Sequence, residues 1–166
     1  GLGGGGLSSR QAFTSSGTWT KTSGVTKVMV EVQGAGGAGG ASGTEPTYMN
    51  NGSGGGYAKK LIDVSSISTA TITIGSGGAG STSNSGNGAD GGNSIWSDGT
   101  NTLTGIGGLG ARGVAYNVNS LGGVATGGDL NLPGTSGGGY LYSVGASFLG
   151  ISAPQRLTDT TANKGG

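Results

Sequence analysis

Residues 25–43 read VTKVMVEVQGAGGAGGASG, and the change of pattern inside this stretch decides the fold. Up to Gln33 apolar and polar residues alternate. Val28, Val30 and Val32 fall on one face and Lys27, Met29 and Glu31 on the other, the signature of a half-buried strand. From Gly34 the period becomes three: Gly34, Gly37, Gly40 and Gly43 share one phase, and Gly36 and Gly39 a second. Three residues per turn belongs to an extended left-handed helix of the polyproline II type, which rises ~3.1 Å per residue and has no internal hydrogen bonds. Its N–H and C=O groups must therefore bond sideways to other segments of the same kind.

The same switch recurs along the chain. GSGGAG at 75–80 puts Gly75 and Gly78 in phase, and GIGGLGARG at 105–113 does so with Gly107, Gly110 and Gly113. Collagen is excluded, because the tracts are short and Pro46, Pro133 and Pro154 are the only prolines. Between the tracts lie further strands. Ala12–Gln33 is the strongest strand region, with Ser-Gly pairs at 16–17 and 23–24 marking turns and Trp19 expected on the valine face. Tyr57–Val64 and Ala70–Ile74 are joined by a serine-rich turn at 65–69 that predicts a hairpin. A weaker pair, Ser94–Ser97 and Thr100–Thr104, flanks Asp98-Gly99. No stretch carries apolar residues at helical spacing. The expected fold is mainly β and irregular: a small antiparallel β layer continuing into a bundle of short polyglycine type II helices, with essentially no α-helix.

Composition sets the same bounds. Of 166 residues 43 are glycine, and Leu, Ile, Val and Phe together number 29, too few for a large conventional core. Charged residues are only 9% and the formal net charge is +1, so the self-repulsion typical of disorder is missing as well. Each glycine costs ~0.5–1 kcal/mol more to order than alanine, a penalty that persists where no side chain fits. There is no cysteine and no histidine, which removes disulfides, thiolate sites, the usual general base and the usual metal ligand. Lys59 and Lys60 are the only adjacent cations, giving no nucleic-acid footprint, and no apolar run approaches a membrane span.

Several motifs invite chemistry and fail on context. Gly34–Gly39 matches G-x-G-x-x-G after a strand, but no helix can follow to hold a pyrophosphate. Gly86-Asn87-Gly88-Ala89-Asp90 imitates part of a calcium-binding nonapeptide, yet occurs once, whereas that site needs stacked repeats. Asp63, Asp90, Asp98 and Asp129 would have to converge to act as paired carboxylates, and nothing in their spacing brings them together. The reading is a protein without catalytic activity, metal or cofactor.

The stretches that break the triplet pattern are richer. TEPTYMNNGS at 44–53 carries Tyr48, Met49, Asn50 and Asn51, and VAYNVNS at 114–120 carries Tyr116, Asn117 and Asn119. YLYSVGASFLG at 140–150 adds Tyr140, Tyr142 and Phe148. Tyrosine with asparagine, serine and glycine is the mixture that recognition loops use, because rigid amphipathic rings give contact area at low entropic cost. These ten residues are the candidate recognition set.

FTSSGTWTKTSGVTKVMVEVQGAGGAGG at 13–40, GGGYAKKLIDVSS at 54–66, TITIGSGGAG at 71–80 and GGVATGGDLNLPG at 122–134 resemble, in order and spacing, the glycine-rich domain at the tip of bacteriophage tail fibres. The resemblance implies a linker from a fibre shaft at 1–11, a tip domain at 12–150 and a C-terminal extension at 151–166. It further implies a homotrimeric fibre, location at the distal tip in the virion, and attachment to a bacterial surface glycan or outer-membrane protein, without nucleic acid or membrane insertion. Two departures stand out. Thr22-Ser23-Gly24 replaces the family's proline-glycine turn, and the closing glycine tract and final apolar strand of the family are not found before Gly166. The second implies that part of the fold is missing, swapped or supplied by a neighbour.

Overall fold

The computed structural model describes residues 9–41, 50–83, 86–112 and 120–138. Eight strands occur there and no helix: β1 (Gly17–Thr20), β2 (Lys27–Gln33), β3 (Tyr57–Asp63), β4 (Thr69–Thr73), β5 (Ser94–Ser97), β6 (Thr102–Gly105), β7 (Ala125–Thr126) and β8 (Leu130–Leu132). They form two antiparallel sheets, ordered β1-β4-β5-β6-β7 and β2-β3-β8.

Alternation along the strands builds the core between the sheets. Val30, Val32, Ala58 and Ile62 face inward from one sheet, and Trp19, Ala70, Ile72, Trp96 and Leu103 from the other. Trp19 does meet the valine face, and its ring lies 5.1 Å from that of Trp96, tilted by 51°. Tight turns close the near end of the sandwich. Val25 N–H donates to Thr22 O at 3.2 Å, with Gly24 at φ +82°, so this turn has glycine where a positive φ demands it. In the β5–β6 turn Asp98 Oδ1 accepts the N–H groups of Thr100 and Asn101 at 2.9 and 2.6 Å.

The expected β3–β4 hairpin is not formed. β3 pairs with β2 and β8, and β4 with β1 and β5, so the serine-rich connection is an arch between sheets. Both strands are amphipathic and few apolar residues exist, so their inner faces stabilise the fold more by meeting across the core than by lying side by side. Lys21 holds the arch, with Nζ donating to Val64 O at 2.8 Å and Ser65 O at 3.0 Å. Gly17, expected in a turn, opens β1, while the Ser16 hydroxyl accepts Ile74 N–H at 2.9 Å.

Beyond the sheets the strands run into seven extended tracts among the described residues: the first at 34–41, second 50–56, third 74–80, fourth 86–93, fifth 106–112, sixth 120–124 and seventh 133–138. Their bonds recur every three residues. Gly34, Gly37 and Gly40 donate to Gly56, Ser53 and Asn50 of the second tract at 2.8, 2.9 and 3.2 Å. Ala35, Ala38 and Ala41 donate to Gly92, Ala89 and Gly86 of the fourth at 3.1, 3.0 and 2.9 Å. Gly108 and Ala111 of the fifth return bonds to Ala35 and Ala38, both at 2.9 Å. The full pattern of partners fits two staggered rows, third-first-second-seventh over fourth-fifth-sixth. This is a polyglycine type II lattice.

Where side chains stop, the two layers close onto each other. Gly56 N–H already crosses to Ile106 O at 2.8 Å, and a Cβ on Gly105 would sit 2.5 Å from both Gly34 N and Gly56 O. Packed sheets stand ~10 Å apart, a gap that only side chains fill, so loss of side chains and direct bonding between layers are one event. A Cβ on Gly56 would fall on the Val124 carbonyl, whereas one on Gly17 meets nothing within 4 Å. Gly56→Ala should therefore cost about 2 kcal/mol or more by forcing backbone apart, while Gly17→Ala stays within about 0.5 kcal/mol of the parent, as measured by urea unfolding.

Candidate functional site

All short strand connections lie at the near end, which leaves the far end of the lattice to the segments that link tracts. The described tract ends meet there in one bonded layer. Ala41 N–H donates to Gly86 O at 2.9 Å, Asn51 N–H to Gly138 O at 3.2 Å, and Ser120 N–H to Gly137 O at 3.1 Å. Asn50 Nδ2 donates to Arg112 O at 2.5 Å, tying the second tract to the fifth. The described residues that flank 42–49 and 113–119 therefore lie in this layer, and Gly138 with them.

Of the ten candidate recognition residues, Asn50 and Asn51 lie among the described ones. Asn51 is exposed. Asn50 is 3% exposed and serves the lattice with its amide, so it drops out of the surface set. Tyr48, Met49, Tyr116, Asn117, Asn119, Tyr140, Tyr142 and Phe148 lie outside the described residues.

Other polar side chains act as substitutes for a missing lattice neighbour. The buried Ser53 hydroxyl donates to Leu121 O at 2.5 Å, and that of Ser120 to Gly110 O at 3.1 Å. Along the fifth tract, amides of one phase bond the sixth tract and those of another bond the first. The remaining phase meets side chains of the fourth: Gly107 N–H donates to Asn93 Oδ1 at 3.0 Å and Gly110 N–H to Asp90 Oδ1 at 2.7 Å. The spacing Asp90-x-x-Asn93 repeats the lattice period, the signal by which sequence could have found this role.

These contacts also account for the tempting motifs. Asp63 accepts Ser65 N–H at 2.9 Å and Asp129 accepts Leu61 N–H at 3.3 Å, so the four carboxylates each serve a different stretch of backbone. Among the described residues no three His, Cys, Asp or Glu gather as a metal site. The amides of Gly34, Ala35, Gly37 and Ala38 are spent on other tracts rather than turned toward a phosphate. At Asp98, burial acts to raise the carboxyl pKa, but hydrogen bonds from Asn101, Thr100 and Trp96 hold it below the ordinary value.

The outer face of β2-β3-β8 carries one polar cluster. Tyr57 OH donates to Glu31 Oε1 at 2.7 Å, and Lys59 Nζ lies 3.1 Å from the same oxygen. Burial, then the bond to Glu31, push the phenol up to about 12, while Tyr57 and Lys59 together lower Glu31. Met29, Leu61 and Leu130 are exposed around it.

Replacing Asp90 tests its lattice role. Asp90→Ala leaves the buried Gly110 N–H without its acceptor and should cost about 1–3 kcal/mol, whereas Asp90→Asn keeps an acceptor and most of the stability. Thermal unfolding of both variants with calcium and with chelator checks this, and no difference between the two conditions is expected.

No curated protein sequence matches the chain. The sequence profile of the glycine-rich domain matches residues 8–166, nearly the whole length, with both the strands and the tracts inside it. A chain whose glycines build its lattice and whose match to that profile is this extensive belongs to the glycine-rich domain family.

Proposed function

We propose that this domain is the receptor-binding tip of a bacteriophage tail fibre, acting by adhesion without catalysis. The observation that carries the reading is the polarity of the fold. Backbone bonds organise one body, short turns close one end, and the described tracts end together at the other, next in sequence to Tyr48, to Tyr116, Asn117 and Asn119, and to the tyrosines that follow Gly138. Aromatic rings and amides held on a rigid base suit a surface glycan or an outer-membrane protein loop. A fibre shaft of the same chain would lead into the domain, and three copies at the distal end of the virion would add weak contacts through avidity.

A second reading, ice binding, has its own observation. Two T-x-T rows, Thr18, Thr20 and Thr22 and Thr69, Thr71 and Thr73, stand in the sequence, and their strand residues lie side by side on the outer face of the five-stranded sheet, with Thr18 opposite Thr71 and Thr20 opposite Thr69. Ser97 and Thr102 extend one row, although Thr22 falls in the turn beyond β1. Threonine also suits any exposed strand, and sheet twist breaks the flatness that an ice lattice requires. Thermal hysteresis at micromolar protein is expected to be nil. A clear hysteresis abolished by Thr71→Lys would favour ice over a bacterial receptor.

Adhesion is tested by binding of the fluorescently tagged chain to a panel of bacterial strains. A variant with Tyr48, Asn51, Tyr116 and Asn117 changed to alanine is measured beside it. Strain-selective binding at least about tenfold weaker in the variant is expected, as for loss of several interface anchors. Binding to no strain by the folded chain would favour a structural cap that only terminates the fibre shaft.

A further inference from the structure

The sequence holds two Asn-Gly pairs, Asn51-Gly52 at the far end of the second tract and Asn87-Gly88 in the fourth. Such a pair is chemically labile, because glycine has no side chain to shield its backbone nitrogen from the amide carbon of the asparagine before it. The lattice demands the glycine at both places. A Cβ on Gly52 would fall on the Gly37 carbonyl, and one on Gly88 on the carbonyl of Ala38.

The fold treats the two pairs differently. Gly88 is buried and its N–H donates to Ala111 O at 2.9 Å, so its nitrogen is committed to the lattice. The peptide unit between Asn51 and Gly52 has no such tie: among the described residues neither the Asn51 carbonyl nor the Gly52 N–H has a hydrogen-bond partner. Asn51 is exposed, and its side chain makes no hydrogen bond to the described residues. Bonds resume directly on either side, from Asn51 N–H to Gly138 O at 3.2 Å and from Ser53 N–H to Leu109 O at 3.0 Å. This one peptide plane can turn toward the Asn51 side chain while its neighbours stay bonded. The aspartyl pairs are closed to the same chemistry. Gly91 N–H donates to Gly108 O at 2.8 Å, and the Asp98 carboxylate is held by the N–H groups of Thr100 and Asn101.

We infer that Asn51-Gly52 is a site of self-modification, at which the folded chain converts Asn51 to aspartate or isoaspartate, the second product uncoupling the far end of the second tract. The Gly52 nitrogen gives its proton to solvent and attacks Asn51 Cγ. A new C–N bond closes a five-membered succinimide, the bond from Cγ to Nδ2 breaks, and Nδ2 leaves with a proton as ammonia. Water then adds to one of the ring carbonyls and opens the ring at its nitrogen. Opening at Cγ restores the backbone with aspartate, and opening at the main-chain carbonyl gives isoaspartate. The sum exchanges a water for an ammonia, with nothing oxidised or reduced.

Isoaspartate carries the backbone through Cβ and Cγ, one carbon longer than before. A lattice that aligns by counting three residues has no place for it. The bond from Gly37 to Ser53 and that from Gly40 to Asn50 lie one such step apart, as do those from Gly54 to Thr135 and from Asn51 to Gly138, and both steps span the altered peptide. Register at Ser53 is inherited from the strands, so the bonds beyond it, with the tie from Asn50 to Arg112, are the ones that give way. The inference stands apart from the adhesin reading.

The test is incubation of the full chain at mildly alkaline pH, folded and in urea, with both Asn-Gly pairs followed by peptide mapping and mass spectrometry. In the folded chain Asn51 should convert about tenfold or more faster than Asn87, whereas in urea the two should convert at similar rates. In the isoaspartate form, separated by ion exchange, hydrogen exchange at Gly40 should be faster by about tenfold or more, with Gly37 as protected as before. Asn51→Asp adds the charge without the extra carbon and should leave Gly40 protected. Conversion of Asn51 no faster than that of Asn87 in the folded chain overturns the inference. So does unchanged exchange at Gly40 in the isoaspartate form, or an equal loss of protection in Asn51→Asp.

Discussion

The structure depends on one approach that only glycine permits: an extended backbone lying directly against another, with a carbonyl where a Cβ would be. Added at Gly37, Gly52, Gly55, Gly56 or Gly108, a Cβ would fall on the backbone of a neighbouring tract. Since an extended three-fold helix makes no internal hydrogen bonds, each tract is stable only in company. The lattice is therefore cooperative. A tract at the interior of the rows, such as the first, bonds to four others, and displacing it would strand amides on each.

Two kinds of core divide the work. The β sandwich buries side chains, among them Leu103 and Val64 with no exposure, and draws on the hydrophobic effect. The lattice buries backbone and draws on hydrogen bonds, each worth only ~0.5–1.5 kcal/mol net. A lattice of glycines has no side chains to define which residue meets which, so its register is inherited. The pairing of Gln33 with Tyr57 at the end of β2 and β3 leads directly to Gly34 bonding Gly56, and the three-residue step carries that alignment through Ser53 to Asn50. The small apolar core thus specifies positions far from itself.

What the sequence disclosed follows from which interactions have a local signature. The alternation at 27–33 and the triplet that starts at Gly34 both report the geometry of a single segment, and the strand, and the tract as far as Ala41, are found where they were expected. Pairing is not a property of one segment. Tyr57–Val64 and Ala70–Ile74 read as strands correctly, but the choice between hairpin and arch depends on where the rest of a scarce core lies. Asn50 illustrates the other limit: in a list of loop-like residues it reads as an exposed amide, and only the arrival of Arg112, 62 positions away, shows it to be a tie between tracts. Asp90 and Asn93 carried their signal in the open, because side chains that complete a lattice must repeat with its period.

The division between sandwich and lattice also separates what must stay fixed from what is free to vary. At the far end the last bonds are made by backbone atoms of Ala41, Asn51, Ser120, Gly137 and Gly138, with Asn50 adding its amide. Backbone bonds are indifferent to side-chain identity, so the demands of the lattice end with these anchors and place no periodic requirement on the residues beyond them. The sequence changes character at the same points, from glycine triplets to TEPTYM after Gly43 and to VAYNVN after Gly113. A scaffold whose backbone bonds run to its last layer makes no demand on the side chains past that layer. It reaches that layer without the large side-chain core that a composition of this kind could never supply.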